Sequence, residues 1–270
     1  PRGMPFMETN EHWKGLRKNL AAIFHSDFME AYFGYFHNAA KDLVKRWKDQ
    51  SGSTRDMTTD IIDMTYEVAC YSLGGGKIDA YLPYDGPNGT EELHIRDFNR
   101  KVLRDFEKHA ATKEFVEDKE YRFKSNSMKL NKLNKNMGTI ADALKGVITA
   151  RAGELGEGAE GKKTIIDAAY GLLTQGVIKD VDEAVQHGWA ILNGAQLAIG
   201  HALSATIFYL LKNPECFKNL KKEFDEELFK GENWNVENLS EVLTRENLKD
   251  MEYLNLVVKE ALRLSSSLFG

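Results

Sequence analysis

The sequence contains few cysteines and few prolines. Its two cysteines, Cys70 and Cys216, are too few for a disulfide framework or a cysteine-rich metal site, so the composition favours a reducing compartment. Five prolines among 270 residues leave room for long helices, because proline breaks helix interiors. A net charge of −5 gives no basic excess, and this argues against nucleic acid as a partner.

Charged side chains are also absent from a long run between residues 184 and 211, which is long enough to span a bilayer. The run nevertheless carries polar side chains that would be costly in lipid, namely Gln186, His187, Asn193, Gln196, His201 and Ser204. We therefore expect a buried central helix at about 182–212 rather than a membrane span.

Apolar residues recur at helical spacing through most of the chain, as at Trp13, Leu16 and Leu20. The periodicity and the Gly and Pro positions predict helices at about 10–24, 27–49, 57–73, 91–117, 121–152, 164–175, 182–212, 215–230 and 250–264, with a loop at 77–89 and a flexible turn at 153–161. We find no repeat and no strand of more than a few residues. The pattern predicts a mainly α protein.

Two pairs of residues stand at spacings that matter for chemistry. Glu260 and Arg263 are three apart within LKDMEYLNLVVKEALRL (248–264), so on a helix they share a face and can form an ion pair. Trp13 and Arg17 are four apart within NEHWKGLRK (10–18), so an indole N–H and a guanidinium can reach the same carboxylate. Taken alone, these pairs are more often a surface ion pair and a core aromatic beside a surface charge.

The surrounding strings resemble the cytochromes P-450, a family of haem-thiolate enzymes. The Trp-x-x-x-Arg helix, then FYLLKNPECFKNLKKEFDEEL (208–228), then the Glu-x-x-Arg helix stand in that family's order and at about its spacing. The resemblance implies that residues 1–270 form a single, incomplete P-450 domain with no second domain. The family's first strands and its haem-ligand loop, with the axial cysteine expected beyond Gly270, are absent from the sequence.

The resemblance also implies roles for particular residues. Trp13 and Arg17 are expected to face the interior and bind a haem propionate. Glu260 and Arg263 are expected to pair and to be buried, with Leu254, Val257, Val258 and Leu262 packed into the core. Neither Cys70 nor Cys216 lies in a string like the family's Phe-x-x-Gly-x-x-x-Cys-x-Gly, so no metal ligand is expected within this chain.

The central helix departs from the family pattern. An ungapped count back from Pro214 places the small-Gly-x-acid-Thr motif on residues 194–199, where Gly194, Ala195 and Ala198 would line the haem pocket. The acid is replaced by Leu197 and the threonine by Ala198, so the groups that help deliver protons to dioxygen in the family are missing.

A second register would place the motif on Gly200 and His201, but Ala202 and Leu203 would again replace the acid and the threonine. His201 is a candidate replacement donor or ligand, although a lone histidine in an apolar helix is more often a core residue.

These features leave three hypotheses for the function. The first is a haem-thiolate monooxygenase that acts on a small lipophilic substrate, with electrons from a reductase or a ferredoxin. The second is a dioxygen-independent rearrangement of peroxides on the same fold, and the third is a degenerate structural or interaction subunit without catalysis. Membrane association through a missing N-terminal segment is expected, at the endoplasmic reticulum or, as second choice, the mitochondrial inner membrane.

Overall fold

A computed structural model describes residues 9–21, 26–53, 56–117, 128–157, 164–230 and 242–265. In chain order, the elements of the first half are α1 (Glu11–Leu20), α2 (Ser26–Asp49), α3 (Met57–Gly74), β1 (Tyr81–Gly86), β2 (Gly89–His94), α4 (Ile95–Ala110) and α5 (Lys113–Glu117). Those of the second half are α6 (Met128–Gly156), α7 (Ile165–Thr174), α8 (Val181–Lys212), α9 (Pro214–Glu223), a π-helical turn (Phe224–Leu228), α10 (Arg245–Lys249) and α11 (Glu252–Leu264).

The chain divides into two compact units. The first unit consists of residues Pro1–Leu20 and Gly74–Ala190, and the second of Ala21–Leu73 and Ile191–Gly270. The mainly α class predicted from the sequence is confirmed, because helices make up most of both units. The single-domain organisation stays a prediction.

An antiparallel β-hairpin in the first unit was missed by the sequence prediction, which gave a loop at 77–89 and a helix from 91. Strands β1 and β2 pair from Tyr81 with His94 to Gly86 with Gly89, and Gly89 has a φ of +119° that favours glycine. The backbone of Asp85 exchanges two hydrogen bonds with the side-chain amide of Asn136 in α6. This contact joins the hairpin to an element distant in sequence, so the local sequence pattern does not predict the hairpin.

A buried ion pair joins α6 to α7 in the first unit. The Arg151 side chain is only 5% exposed, and its guanidinium donates to Asp167 at 2.8 and 3.1 Å and to Glu154 at 2.7 Å. A buried guanidinium needs such partners, because desolvating a charge is costly unless it is paired.

The predicted flexible turn at 153–161 is wrong at its start, where α6 continues to Gly156. Residues 158–163 lie outside the described part of the chain.

The second unit has its main core where α2 and α3 pack against the C-terminal half of α8. Five buried side chains form this core with Leu203 and Ile207 of α8: Ala39, Leu43, Ile61, Met64 and Val68. The Thr65 hydroxyl lies 2.9 Å from the backbone oxygen of Gln196, and a Cβ at Gly200 would lie 2.8 Å from Ile62 Cγ1. Helices α3 and α8 therefore approach closely because residue 200 has no side chain.

A second contact within this unit joins α9 to α11. The two carboxylate oxygens of Glu223 accept the backbone N–H groups of Tyr253 and Leu254 at 2.6 and 2.8 Å. These N–H groups lie in the first turn of α11 and have no partner within the helix. The Glu223 carboxylate therefore caps α11, and its negative charge interacts favourably with the positive end of the helix dipole.

The long helix α8 runs from Val181 to Lys212, within one residue of the predicted start. By length and composition alone, α8 could cross a membrane. Of its most apolar 18 residues, 18% are buried. The prediction that it is buried on most faces is wrong towards its C-terminus, where Phe208 and Leu211 are 50% and 67% exposed. The described residues of the second unit supply packing partners for only one side of this end.

The close approach of α3 and α8 gives a test of stability. We expect Gly200→Ala in the full-length protein to lower the free energy of unfolding by about 1–3 kcal/mol, because the new methyl group overlaps Ile62. Urea denaturation monitored by circular dichroism measures the change. Gly146→Ala in α6 is the matched control, because a Cβ there meets nothing within 4 Å and should stabilise by up to about 1 kcal/mol. Equal effects of the two substitutions would contradict the close approach.

Candidate functional site

Trp13 and Arg17 stack on one another on α1. The guanidinium carbon of Arg17 lies 5.3 Å from the centroid of the Trp13 indole, a geometry in which the ring stabilises the cation. Arg17 is exposed and Trp13 is partly buried. Among the described residues, no carboxylate lies within ion-pair distance of Arg17. The positive charge is therefore held in place while remaining available to an external anion.

The described residues do not enclose the Arg17 side chain, and the predicted position of Arg17 and Trp13 facing a haem-side interior stays a prediction. The opposite side of α1 is well packed, since Leu16 and Leu20 are 0% and 2% exposed in a cluster with residues of α7 and with Ala184. The helix thus buries its apolar stripe within the first unit and presents Arg17 outward. Contact with a haem propionate stays a prediction.

A carboxylate that the sequence reasoning missed anchors the start of α1. The Nε2 atom of His12 lies 2.6 Å from Oε1 of Glu183, in the first turn of α8. The other oxygen of Glu183 accepts the backbone N–H of Lys179 at 2.8 Å, and the Glu183 N–H donates to Asp180 Oδ1 at 2.8 Å. Asp180 and Glu183 have the spacing of a capping box, which was visible in the sequence. The bond to His12 had no sequence signal, because it joins residues 171 positions apart.

Burial and hydrogen bonding together shift the pKa values of Glu183 and His187. Burial alone would raise the pKa of Glu183, but hydrogen bonds from His12 and Lys179 outweigh it and keep the pKa below its ordinary value. Burial lowers the pKa of His187, against the attraction of Glu183. The Nε2 atom of His187 is 3.8 Å from Glu183 Oε1, beyond hydrogen-bond distance, so His187 does not compete with His12 for this oxygen.

The middle of α8, in the second unit, has an open side at the positions predicted to line a cofactor. Gly194 is exposed, and a Cβ there would meet nothing within 4 Å. Leu197 and Ala198 are partly buried and carry no ionisable or hydroxyl group. The side chain of Ala195 lies outside the described part of the structure. His201, the candidate replacement donor, is exposed.

Glu260 and Arg263 form the predicted pair on α11, with two guanidinium–carboxylate hydrogen bonds of 2.7 Å. The hydrogen bond lowers the pKa of Glu260 and raises that of Arg263. The predicted burial is wrong, since the two side chains are 55% and 67% exposed. The predicted core positions Val258 and Leu262 are also exposed, because the described residues pack against only the Ala261 side of α11.

The two thiols are placed differently. Cys70 is buried in α3, Cys216 is exposed on α9, and neither forms a disulfide bond. Within the described ranges, no group of three histidine, cysteine or carboxylate side chains has a geometry that could hold a metal ion.

Comparison with known proteins identifies the family. The chain matches the family described as cytochrome P450 (here written P-450) over residues 1–269, and it belongs to that family. A similar solved structure is titled crystal structure of cytochrome P-450DA heme domain, with a TM-score of 0.70 and 16% identity. That likeness covers 97% of this chain but 52% of the other, so the chain spans about half of a P-450 haem domain and has the fold of an incomplete one.

Two curated fungal proteins are similar over shorter stretches. Cytochrome P-450 monooxygenase phqM of Penicillium fellutanum is 27% identical over 112 residues, which is 41% of this chain and 19% of that protein. N-acetyltryptophan 6-hydroxylase ivoC of Emericella nidulans is 33% identical over 87 residues, which is 32% of this chain and 16% of that protein.

The family implies a haem, and positions within each unit, taken separately, suit such a group. In the first unit, Arg17 is a guanidinium without a described carboxylate partner, which suits the negative charge of a propionate. In the second unit, the open side of α8 at Gly194 would admit a flat ring close to the helix backbone.

The lowered pKa values of His187 and Glu183 predict acid sensitivity. A group whose pKa is depressed by folding stabilises the folded state above its ordinary pKa and loses that contribution as the pH falls. His187 should therefore begin to destabilise the protein below pH 6.5, and Glu183 below pH 4.5. Urea denaturation of the full-length protein between about pH 7.5 and pH 5.5 isolates the histidine.

His187→Gln should make stability less dependent on pH in this interval. His201→Gln on the same helix is the matched control, because His201 is exposed. The same pH dependence in both variants and the parent would show that His187 is not the group responsible.

Proposed function

We propose that the full-length protein is a haem-thiolate oxidoreductase, of the monooxygenase type, that acts on a small lipophilic substrate. The observation that carries this proposal is the stacked pair on α1: Arg17 lies over the Trp13 ring and has no carboxylate partner among the described residues. Membership of a haem-binding family explains why such a pair is present, because a scaffold without haem does not need a propionate-binding arginine. The names of the two fungal relatives, a monooxygenase and a hydroxylase, support the reaction class.

In this proposal, the residues of the chain hold the cofactor and shape its surroundings. Arg17 donates charge-assisted hydrogen bonds to a propionate, and Trp13 limits the conformations of the guanidinium by stacking. Gly194, Ala195 and Ala198 allow the helix backbone to approach the ring. A haem with a cysteine thiolate ligand supplies the redox chemistry, and that cysteine lies outside residues 1–270, since neither Cys70 nor Cys216 stands in a ligand motif.

The replacement of the acid and the threonine favours a second candidate within the same fold. Leu197 and Ala198 cannot donate a proton, so a reaction that must protonate dioxygen has to rely on water or another group at this point. A peroxide substrate already contains the O–O bond and needs no such delivery. We therefore retain dioxygen-independent peroxide rearrangement as the alternative activity, and a subunit without catalysis as the outcome if haem is not bound.

The partners and the location follow from the proposed reaction. A monooxygenase takes electrons from a reductase or a ferredoxin, whereas a peroxide-rearranging enzyme requires neither. We propose attachment to the endoplasmic reticulum membrane through a segment outside this chain, with the mitochondrial inner membrane as the alternative. Subcellular fractionation with a tag on the full-length protein tests this location.

Haem retention tests the role of Arg17. We expect Arg17→Ala to weaken haem binding by the value of one charge-assisted hydrogen bond, about 1.5–3 kcal/mol, or about 10- to 150-fold. The rate of haem transfer to an excess of an apoprotein acceptor reports the change. Lys18→Ala is the matched control, since it removes an exposed neighbouring cation that does not stack on Trp13. Equal haem loss from the two variants would contradict the proposed contact.

Coupling of electron supply to product distinguishes the two activities. With dioxygen and a reductase, the parent should release much of its reducing power as peroxide. The double substitution Leu197→Asp/Ala198→Thr should raise the fraction of electrons recovered in product, because it restores a proton-donating pair. The measurement is the steady-state ratio of product formed to NADPH consumed, compared between the parent and the double variant.

The outcomes of that measurement are distinct. Efficient, well-coupled turnover by the parent would show that losing the acid and the threonine lacks the assigned consequence. Turnover of a hydroperoxide without any reductase would favour the rearrangement reaction. Haem binding without either activity would leave the non-catalytic role.

A further inference from the structure

We propose that Glu183 is a positioning residue for the haem-propionate contact, and that it acts through His12 by fixing the orientation of α1. This inference rests on the proposed function, because it assumes that Arg17 binds a propionate. It assigns a role in cofactor binding to a carboxylate outside the Trp-x-x-x-Arg motif, at the start of the long helix.

Two kinds of contact in the described part of the chain hold α1. The buried side chains Leu16 and Leu20 hold the helix against α7 and Ala184, but apolar packing is not directional and allows small rotations. The hydrogen bond from His12 to Glu183 is directional, and its 2.6 Å length links one specific atom of α1 to the first turn of α8. The polar contact therefore restrains the rotation of α1 about its axis.

His12 stands where it can control Arg17 without touching it. His12 and Leu16 are four residues apart and share the face of α1 that packs within the first unit. Trp13 and Arg17 occupy the adjacent face, about 100° around the helix from His12 and Leu16. Arg17 lies about 7.5 Å along the axis from His12, within two helical turns, so a rotation at His12 displaces the guanidinium.

Glu183 is fixed before it contacts His12. The backbone N–H of Lys179 donates to Oε2, while the Glu183 N–H donates to Asp180, so the carboxylate is held by the capping interactions of α8 itself. The other oxygen, Oε1, lies 2.6 Å from Nε2 of His12. A side chain restrained in this way loses little conformational entropy when it binds the imidazole.

The charged groups nearby provide a control. His187, buried on the next turn of α8, stays 3.8 Å from Glu183 Oε1. Asp182 is adjacent in sequence, but its carboxylate is 67% exposed and binds Lys145 of α6 at 2.6 Å. Glu11 and Lys14 on α1 pair with each other. Asp182→Asn therefore removes a negative charge from the same turn of α8 without touching His12.

The experiment measures haem loss from the full-length haem protein to an excess of an apoprotein acceptor. We expect Glu183→Ala to accelerate haem loss by about 2- to 12-fold, the value of one net hydrogen bond. Glu183→Gln should fall between Glu183→Ala and the parent, because its amide oxygen still accepts the imidazole N–H. Asp182→Asn should behave like the parent.

Two double substitutions separate positioning from general destabilisation. In an Arg17→Ala background, Glu183→Ala should have no further effect on haem loss, because the contact it supports is already gone. A general loss of stability would act in both backgrounds. Combined with His12→Ala, Glu183→Ala should be less than additive, since the two residues form one link.

The results separate this inference from the proposed function. A parent protein that binds no haem would overturn both. A parent that binds haem, with Glu183→Ala no different from Asp182→Asn, would overturn only the role of Glu183. Further acceleration by Glu183→Ala in the Arg17→Ala background would also overturn it. If Glu183→Ala does not fold, the same comparisons apply to Glu183→Gln with the smaller expected effect.

Discussion

The hydrogen bond between Glu183 and His12 is the interaction on which the proposed placement of α1 depends. One oxygen binds the backbone that precedes α8 and the other binds His12 of α1, so the start of the long helix and the start of the arginine helix are fixed together. The pKa of Glu183 is lowered by these bonds, so they need the ionised form and persist at neutral pH. The buried stripe of Leu16 and Leu20 holds the opposite side of α1, and Arg17 is exposed.

In the second unit, the corresponding constraint is the close approach of α3 and α8. The hydroxyl of Thr65 reaches the backbone of Gln196, and Gly200 leaves room for Ile62. The face of α8 that carries Gln196 and Gly200 is thereby committed to packing, whereas the side at Gly194 is left open. The position proposed for the cofactor thus follows from where the helix is already packed. Leu197 and Ala198 are only partly buried and offer no group for proton transfer.

Much of this could be predicted from the sequence, because helical periodicity is a local property. The bounds of α8 and the pairing of Glu260 with Arg263 follow from spacing, and the order of the motifs identified the family. The hairpin at 81–94 could not be predicted, because its strands are held by Asn136 in a helix about fifty residues away. The link from His12 to Glu183 was likewise invisible, since neither residue marks its partner.

Burial was the property that sequence reasoning misjudged. An apolar face shows that a helix can be covered, but not which segment covers it. Leu262 and Phe208 were therefore expected in the core, yet they are exposed among the residues that the structure describes. The chain matches about half of a P-450 haem domain, and we propose that the other half of such a domain covers these faces.

The central claim is that the full-length protein holds haem through a cysteine thiolate, with Arg17 and Trp13 at a propionate. The most direct measurement is the absorption spectrum of the reduced, carbon-monoxide-bound protein. A Soret band of the thiolate type is the predicted result. A protein without haem absorbance, or one whose band is typical of an imidazole ligand, would contradict the account.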